Sequence, residues 1–289
     1  MSDIEAMASG KGSADENFPV ASALIAARHR PVVLAFYRVA RMSDDVADHP
    51  CLAPAEKLRR LDAVEASLTG VDAAVPAAAA LRGVLAERGL TDRHMLDLLT
   101  AFRRDAVKTR YADWGELMDY CRYSAAPVGR FVLDVHGEAE TTWPASDALC
   151  SALQVINHLQ DCGNDYRDLD RVYIPLDALA AEGLDVTALS EAKASQALRR
   201  VIVGLAGRTT GLLEAATPLP GAVRDLRLSL EVGVIHTLAA SLVRGLMVRD
   251  PLSQRVHHTK AQAAGVALRG AARTLAARLS ARPERQAEA

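Results

Sequence analysis

Apolar residues recur along the chain at three- and four-residue intervals, and the two-residue alternation of β-branched and aromatic side chains that marks a strand is nearly absent. Alanine, leucine, arginine and glutamate dominate, and all four favour helix. The pattern predicts an all-α fold. Pro19, Pro31, Pro50, Pro54, Pro76, Pro127, Pro144, Pro175, Pro218, Pro220 and Pro251 punctuate it, leaving room for about ten helices. The ends read differently: residues 1–15 as a disordered tail and 281–289, ARPERQAEA, as a frayed one. No repeat or long linker divides the rest, so residues 16–280 are expected to form a single domain.

Composition narrows the function classes. The 289 residues are half hydrophobic and 24% charged, enough for a substantial core. With 34 basic against 36 acidic residues the net charge is −2. No global positive field exists to hold nucleic acid, and any anion must be met locally. Cys51, Cys121, Cys150 and Cys162 show no metal-ligand or CxxC spacing, which reads as free thiols in a reducing cytoplasm. The start, MSDIEAMASGKGSADENF, lacks the basic and apolar stretches of a secretory signal. The longest apolar runs, such as residues 232–248, contain His236 and Arg244 and fall short of the ~20 residues that span a bilayer. Peripheral contact with the inner face of the membrane stays open.

Candidate chemistry sits in two acidic stretches. In FYRVARMSDDVAD, Asp44 and Asp48 are four apart on a helix and share a face, with Asp45 partly aside. A solvated surface is the commoner home for such a pair, but Phe36, Val39, Ala40 and Val46 argue for partial burial, where unpaired acids are costly. In LQVINHLQDCGNDYRD, Asn157, Asp161 and Asp165 recur every four residues, with Gln154 and Gln160 close to the stripe. Hard oxygen ligands without His or Cys suit Mg²⁺, which commonly bridges carboxylates to substrate phosphates. A diphosphate substrate follows. Arg38, Arg41, Lys108, Arg110 and Arg171 lie near these groups; a salt bridge is the commoner role for each, with Arg41, one turn before Asp44, the best candidate for phosphate. Asp105 reads equally well as an anchor for Lys108.

Other templates are missing. No GxxxxGK[ST], GxGxxG after a strand, GxSxG or HExxH occurs, so P-loop, dinucleotide, serine-hydrolase and zincin readings lose support and no nicotinamide is expected. All twelve aromatics lie before residue 174. Core packing explains most of them, although a cavity that steadies a carbocation can use ring faces.

The strings DDVAD at 44–48, FRRDAVKTRY at 102–111, YCRYSAAPVGR at 120–130, NHLQDCGND at 157–165 and DRVYIP at 170–175 resemble the squalene/phytoene synthase family over nearly the whole chain. ENFPVAS at 16–22 and the NxxQD motif resemble most its hopanoid-associated hydroxysqualene synthase branch. The resemblance implies an isoprenoid-synthase helical bundle around a central cavity, with two acidic helices facing each other across Mg²⁺ ions. By position, Asp44, Asp48, Asp161 and Asp165 would hold metal with Asn157 assisting. Tyr37, Arg41, Arg171 and Tyr173 would address the diphosphate, with Arg38 beside them. Phe18, Tyr120, Ala125, Val128, Gly129 and Gln154 would line the hydrocarbon cavity. Gln160, where many members carry arginine, removes a cation beside the metal and favours the later of the family's two steps: presqualene diphosphate and water to hydroxysqualene and diphosphate. Condensation of two farnesyl or geranylgeranyl diphosphates is the alternative, and a non-catalytic scaffold the third. The oily substrate and product also suggest hand-over between neighbouring pathway enzymes.

Overall fold

The computed structural model describes residues 25–280; Phe18 and the two expected tails lie outside them. The described residues form twelve α-helices and no strand, only an isolated parallel bridge between Arg110 and Val172. The all-α expectation is met. Packing resolves two compact units whose segments interleave along the chain.

One unit comprises Asp119–Gly137 and the described part of Met1–Thr109. It holds α1 (Arg30–Ala47), α2 (Pro54–Thr69), α3 (Pro76–Arg88), α4 (Arg93–Asp105), the end of α5 (Trp114–Ser124) and α6 (Ala126–Val135). The expected breakers act as starters: Pro occupies the first turn of α1, α2, α3 and α6, where its missing N–H costs no hydrogen bond. Gly70 and Gly89 end α2 and α3 with φ of 90° and 64°, left-handed positions that glycine fills without a Cβ clash. Val32, Phe36, Val39 and Val46 of α1 pack on Leu81, Leu98 and Phe131 in one buried cluster. Phe36 and Phe131 stack with centroids 3.8 Å apart, and each buried ring contributes roughly 1.5–3 kcal/mol. This fixes the rotation of α1, and so which of its residues face outward.

The other unit comprises Arg110–Met118 and the described part of Glu138–Ala289. Its helices are α7 (Trp143–Leu169), α8 (Leu176–Ala181), α9 (Gln196–Ala216), α10 (Leu219–Ala222), α11 (Leu226–Val248) and α12 (Lys260–Ser280). Ile156 and Leu159 of α7, Ile202 and Leu205 of α9, and Leu242 and Leu246 of α11 are buried. Ser195 and Asp225 cap α9 and α11 by accepting hydrogen bonds from Leu198 N and Leu228 N. The short apolar run expected around 232–248 is corrected: α11 starts six residues earlier and is long and apolar enough to cross a membrane. Half of its apolar window is buried inside the protein, and His236 Nε2 bonds the Leu213 carbonyl oxygen at 2.8 Å, as in a core helix. Gly233 and Gly270 allow α11 and α12 to approach closely: a Cβ on Gly270 would lie 2.9 Å from the Gly233 carbonyl oxygen.

Candidate active site

In the first unit, Tyr37, Arg41, Asp44 and Asp48 recur at steps of four, three and four on α1, one face of the helix. All four are half-buried, whereas Arg38 is exposed. Asp48 terminates α1, its N–H donating to the Asp44 carbonyl at 2.9 Å. Arg41 binds two acids at once: Nη1 lies 3.0 Å from Asp44 Oδ2 and Nη2 lies 2.7 Å from Asp45 Oδ1. Asp45, set partly aside in the sequence reading, is the buried partner of that fork.

A third element joins this acidic set. Asp105 closes α4 and is buried, and Tyr120 of α5 donates its hydroxyl hydrogen to Asp105 Oδ2 at 2.7 Å. Tyr120 is thus part of the acidic network as well as a candidate wall of the cavity. Asp44 is pushed up to about 8, first by burial and then by the charge of Asp48, with Arg41 pulling the other way and Asp105 and Asp45 adding to the rise. Its side chain still keeps 35% of its surface. The two facts agree for a recessed carboxyl, whose tip meets solvent while most of the volume around it is protein.

Ala125 is buried at the start of α6, while Gly129 is half-buried and Val128 is 44% exposed in its first turn.

In the second unit, Gln154, Asn157, Asp161 and Asp165 form one half-buried stripe on α7. Gln160 does not share it. It is buried, and its amide Nε2 donates to the Val256 carbonyl oxygen in the loop before α12. Cys162, on the same inward side, is pushed up to about 12, mainly by burial and then by Asp165, which leaves an inert thiol.

The end of α7 positions the remaining candidates. Asp170 takes a left-handed conformation with φ 48°, tolerated by Asp, and Arg110 Nη2 grips its carboxylate at 2.5 Å. Arg110 is therefore committed to a salt bridge. The Arg171 N–H donates to the Asp165 carbonyl at 3.0 Å, which folds the following residues back along α7. Arg171 and Tyr173 are both buried, 3.3 Å apart from Nη1 to Oη. His158 stacks on Tyr173 at 3.5 Å, and Tyr111 lies on Tyr173 at 5.4 Å. Burial, and next the Arg171 charge, push His158 down to about 3, so its ring is neutral.

Among the described residues no three His, Cys, Asp or Glu side chains converge closely enough to enclose an ion by themselves. The donor set nevertheless suits Mg²⁺. It offers oxygen alone, it gathers the charges of Asp48, Asp105 and Asp45 around Asp44, and Mg²⁺ keeps waters and takes substrate phosphates as its other ligands. Asp105 was the residue most easily missed, since its buried partner is fifteen positions away in the chain.

An all-α chain with two aspartate-bearing helical stripes, each accompanied by arginine and tyrosine, fits an enzyme that acts on a prenyl diphosphate. Residues 12–262 match the model of the squalene/phytoene synthase family, and the chain belongs to that family. It is 56% identical to the hydroxysqualene synthase of Rhodopseudomonas palustris over 257 residues, 89% of this chain and 88% of that one. It is 52% identical to the hydroxysqualene synthase of Zymomonas mobilis over 269 residues, covering 92% and 91%. Among solved structures, the squalene synthase HpnC from Alicyclobacillus acidocaldarius shares 31% identity at a TM-score of 0.72, covering 84% of this chain and 91% of that one. A dehydrosqualene synthase shares the fold at a TM-score of 0.79 and 19% identity, over 94% of this chain and 95% of that one.

Proposed function

We propose that the chain converts presqualene diphosphate and water to hydroxysqualene and diphosphate. One observation carries this reading: relatives of that name are 52–56% identical over about nine-tenths of the chain, alongside the two acidic stripes. Mg²⁺ bound to the substrate would neutralise the departing diphosphate and lower the barrier to breaking its carbon–oxygen bond.

The side chains divide the work. Asp44 and Asp48 on α1, and Asp161 and Asp165 with Asn157 on α7, would hold the metal and through it orient the diphosphate. Arg41 and Arg171 add positive charge where the leaving group takes the electron pair, and Tyr37 and Tyr173 donate hydrogen bonds to its oxygens. Arg41 is already within reach of Asp44, so the cation sits beside the site before substrate arrives. Ala125, Val128, Gly129 and Gln154 border the hydrocarbon, leaving an apolar space in which the cyclopropylcarbinyl cation rearranges away from bulk water. Water then adds through its oxygen and loses a proton. No electrons are exchanged, so the reaction needs no nicotinamide. The reading takes residues 16–280 as one catalytic domain acting in the cytoplasm, able to pass its oily product to a neighbouring enzyme, without nucleic acid.

Product analysis by mass spectrometry tests it, with presqualene diphosphate and farnesyl diphosphate supplied separately, each with and without reduced nicotinamide. The expected result is hydroxysqualene from presqualene diphosphate, unchanged by nicotinamide. A doubled hydrocarbon skeleton from farnesyl diphosphate alone would make the chain a condensing synthase instead.

A further inference from the structure

The last helix carries a surface that the diphosphate chemistry does not use. Along α12, Ala261, Ala264, Leu268, Ala272, Leu275 and Leu279 are all exposed. At 3.6 residues per turn they fall within roughly 40° of one line. Leu268 is 73% exposed, Leu279 57% and Leu275 44%. The opposite face is closed, with Gly270 and Thr274 buried where α12 meets Gly233 of α11.

Cations border this stripe on both sides. Arg269 and Arg273 lie roughly 100–140° to one side of Leu268, and Lys260 and Arg278 roughly 80° to the other. Arg278 donates to the carbonyl oxygens of Val223 and Arg224, while Lys260, Arg269 and Arg273 are exposed. Residues 251–280 contain five basic residues and no acidic one, against a chain whose net charge is −2. The groove between α11 and α12 extends the charge: about 450 Å³, lined by Arg244, Arg269 and Arg273 with Thr237, Ser241 and Val266, and by no carboxylate.

We propose that the outward face of α12 docks on a bilayer surface containing anionic phospholipids. An apolar line edged by cations on both flanks suits a helix lying in the interfacial plane, leucines in the acyl boundary and arginines among the phosphates. A second copy of the chain fits less well, because pairing two such faces would set Lys260, Arg269 and Arg273 against like charges with no carboxylate on α12 to offset them. The argument stands on this surface alone and is independent of the reaction proposed above.

Flotation of the full chain tests it, using vesicles of phosphatidylcholine alone or mixed with phosphatidylglycerol. The chain should float with the mixed vesicles, float poorly with neutral ones, and lose binding as salt rises. The pair Leu268→Ser and Leu275→Ser, and separately the pair Arg269→Gln and Arg273→Gln, should each lower the bound fraction about tenfold or more. Their unfolding midpoints, and diphosphate release from detergent-dispersed substrate, should match the parent chain. Absence of flotation by the parent chain overturns the proposal, as does undiminished flotation of both pairs. Equally fatal would be a concentration-dependent dimer that the leucine pair dissolves without any vesicle binding, which would assign the face to a second copy.

Discussion

Tyr120 donates its phenolic hydrogen to Asp105 at 2.7 Å, with both side chains buried. The bond ties α5 to the end of α4 and lets a carboxylate lie close enough to Asp44 to raise its proton affinity. Removing the hydroxyl leaves a buried acceptor short of a donor. Tyr120→Phe should therefore cost about 1–3 kcal/mol in urea unfolding, with helix content retained; an unchanged midpoint would show that Asp105 draws nothing from this bond.

Asp44 gives the metal-free protein an inverted pH dependence. Its carboxyl titrates near 8 in the folded chain against an ordinary 3.8, so between those values the folded state holds a proton that the unfolded state has released. Stability from this group is full below about pH 4 and is lost as pH rises through 8. Asp44→Asn should flatten the alkaline arm of a thermal-melt profile taken in chelator. Mg²⁺ with inorganic diphosphate should raise the melting temperature more at pH 8.5 than at pH 6, because the deprotonated carboxylate is the ligand.

His158 works in the opposite sense. Its folded value of about 3 lies below the ordinary 6.5, so the unfolded chain takes up the proton first. The contribution is complete above pH 6.5 and is lost as pH falls toward 3. By NMR the ring should stay neutral from pH 8 down to pH 4.5, and a normal titration midpoint would contradict its burial against Tyr173.

The contact between α11 and α12 depends on two glycines. A Cβ on Gly270 would meet backbone, 2.9 Å from the Gly233 oxygen and 3.0 Å from Val234 Cα, so the helices must separate. Gly270→Ala should destabilise by roughly 1–3 kcal/mol. Gly265, on the same helix with open space around it, is the control: Gly265→Ala should stabilise by about 0.4–1 kcal/mol.

The helical stripes of α1 and α7 were legible because both are local: aspartates three and four positions apart share a face whatever the rest of the chain does. The burial of α1 could also be inferred, from Phe36 and Val39 on its other side. What could not be read were the partners distant in sequence. Asp105 read equally well as an anchor for Lys108, and nothing local announced Tyr120, which α5 brings to it from fifteen positions away. Gln160 lay next to an acidic motif in the sequence, yet its turn of the helix directs it to Val256, ninety-six residues on. Nothing in the sequence marked His158, whose neutrality depends on Tyr173 and Arg171 arriving from beyond the end of α7. The length of α11 was underestimated because Arg227 and Glu231 break the apolar pattern in its first turns, while farther along a bond to the Leu213 carbonyl satisfies the His236 imidazole inside the helix packing.

The central claim is that the aspartates of α1 and α7 hold Mg²⁺ against a departing diphosphate. Diphosphate release from presqualene diphosphate, followed as Mg²⁺ is titrated into the parent chain, Asp44→Asn and Asp161→Asn, tests it most directly. The account predicts metal-dependent release by the parent and a loss of about a hundredfold or more in each variant, with helix content unchanged. Release at the parental rate by either variant, or by the parent in excess chelator, would contradict it.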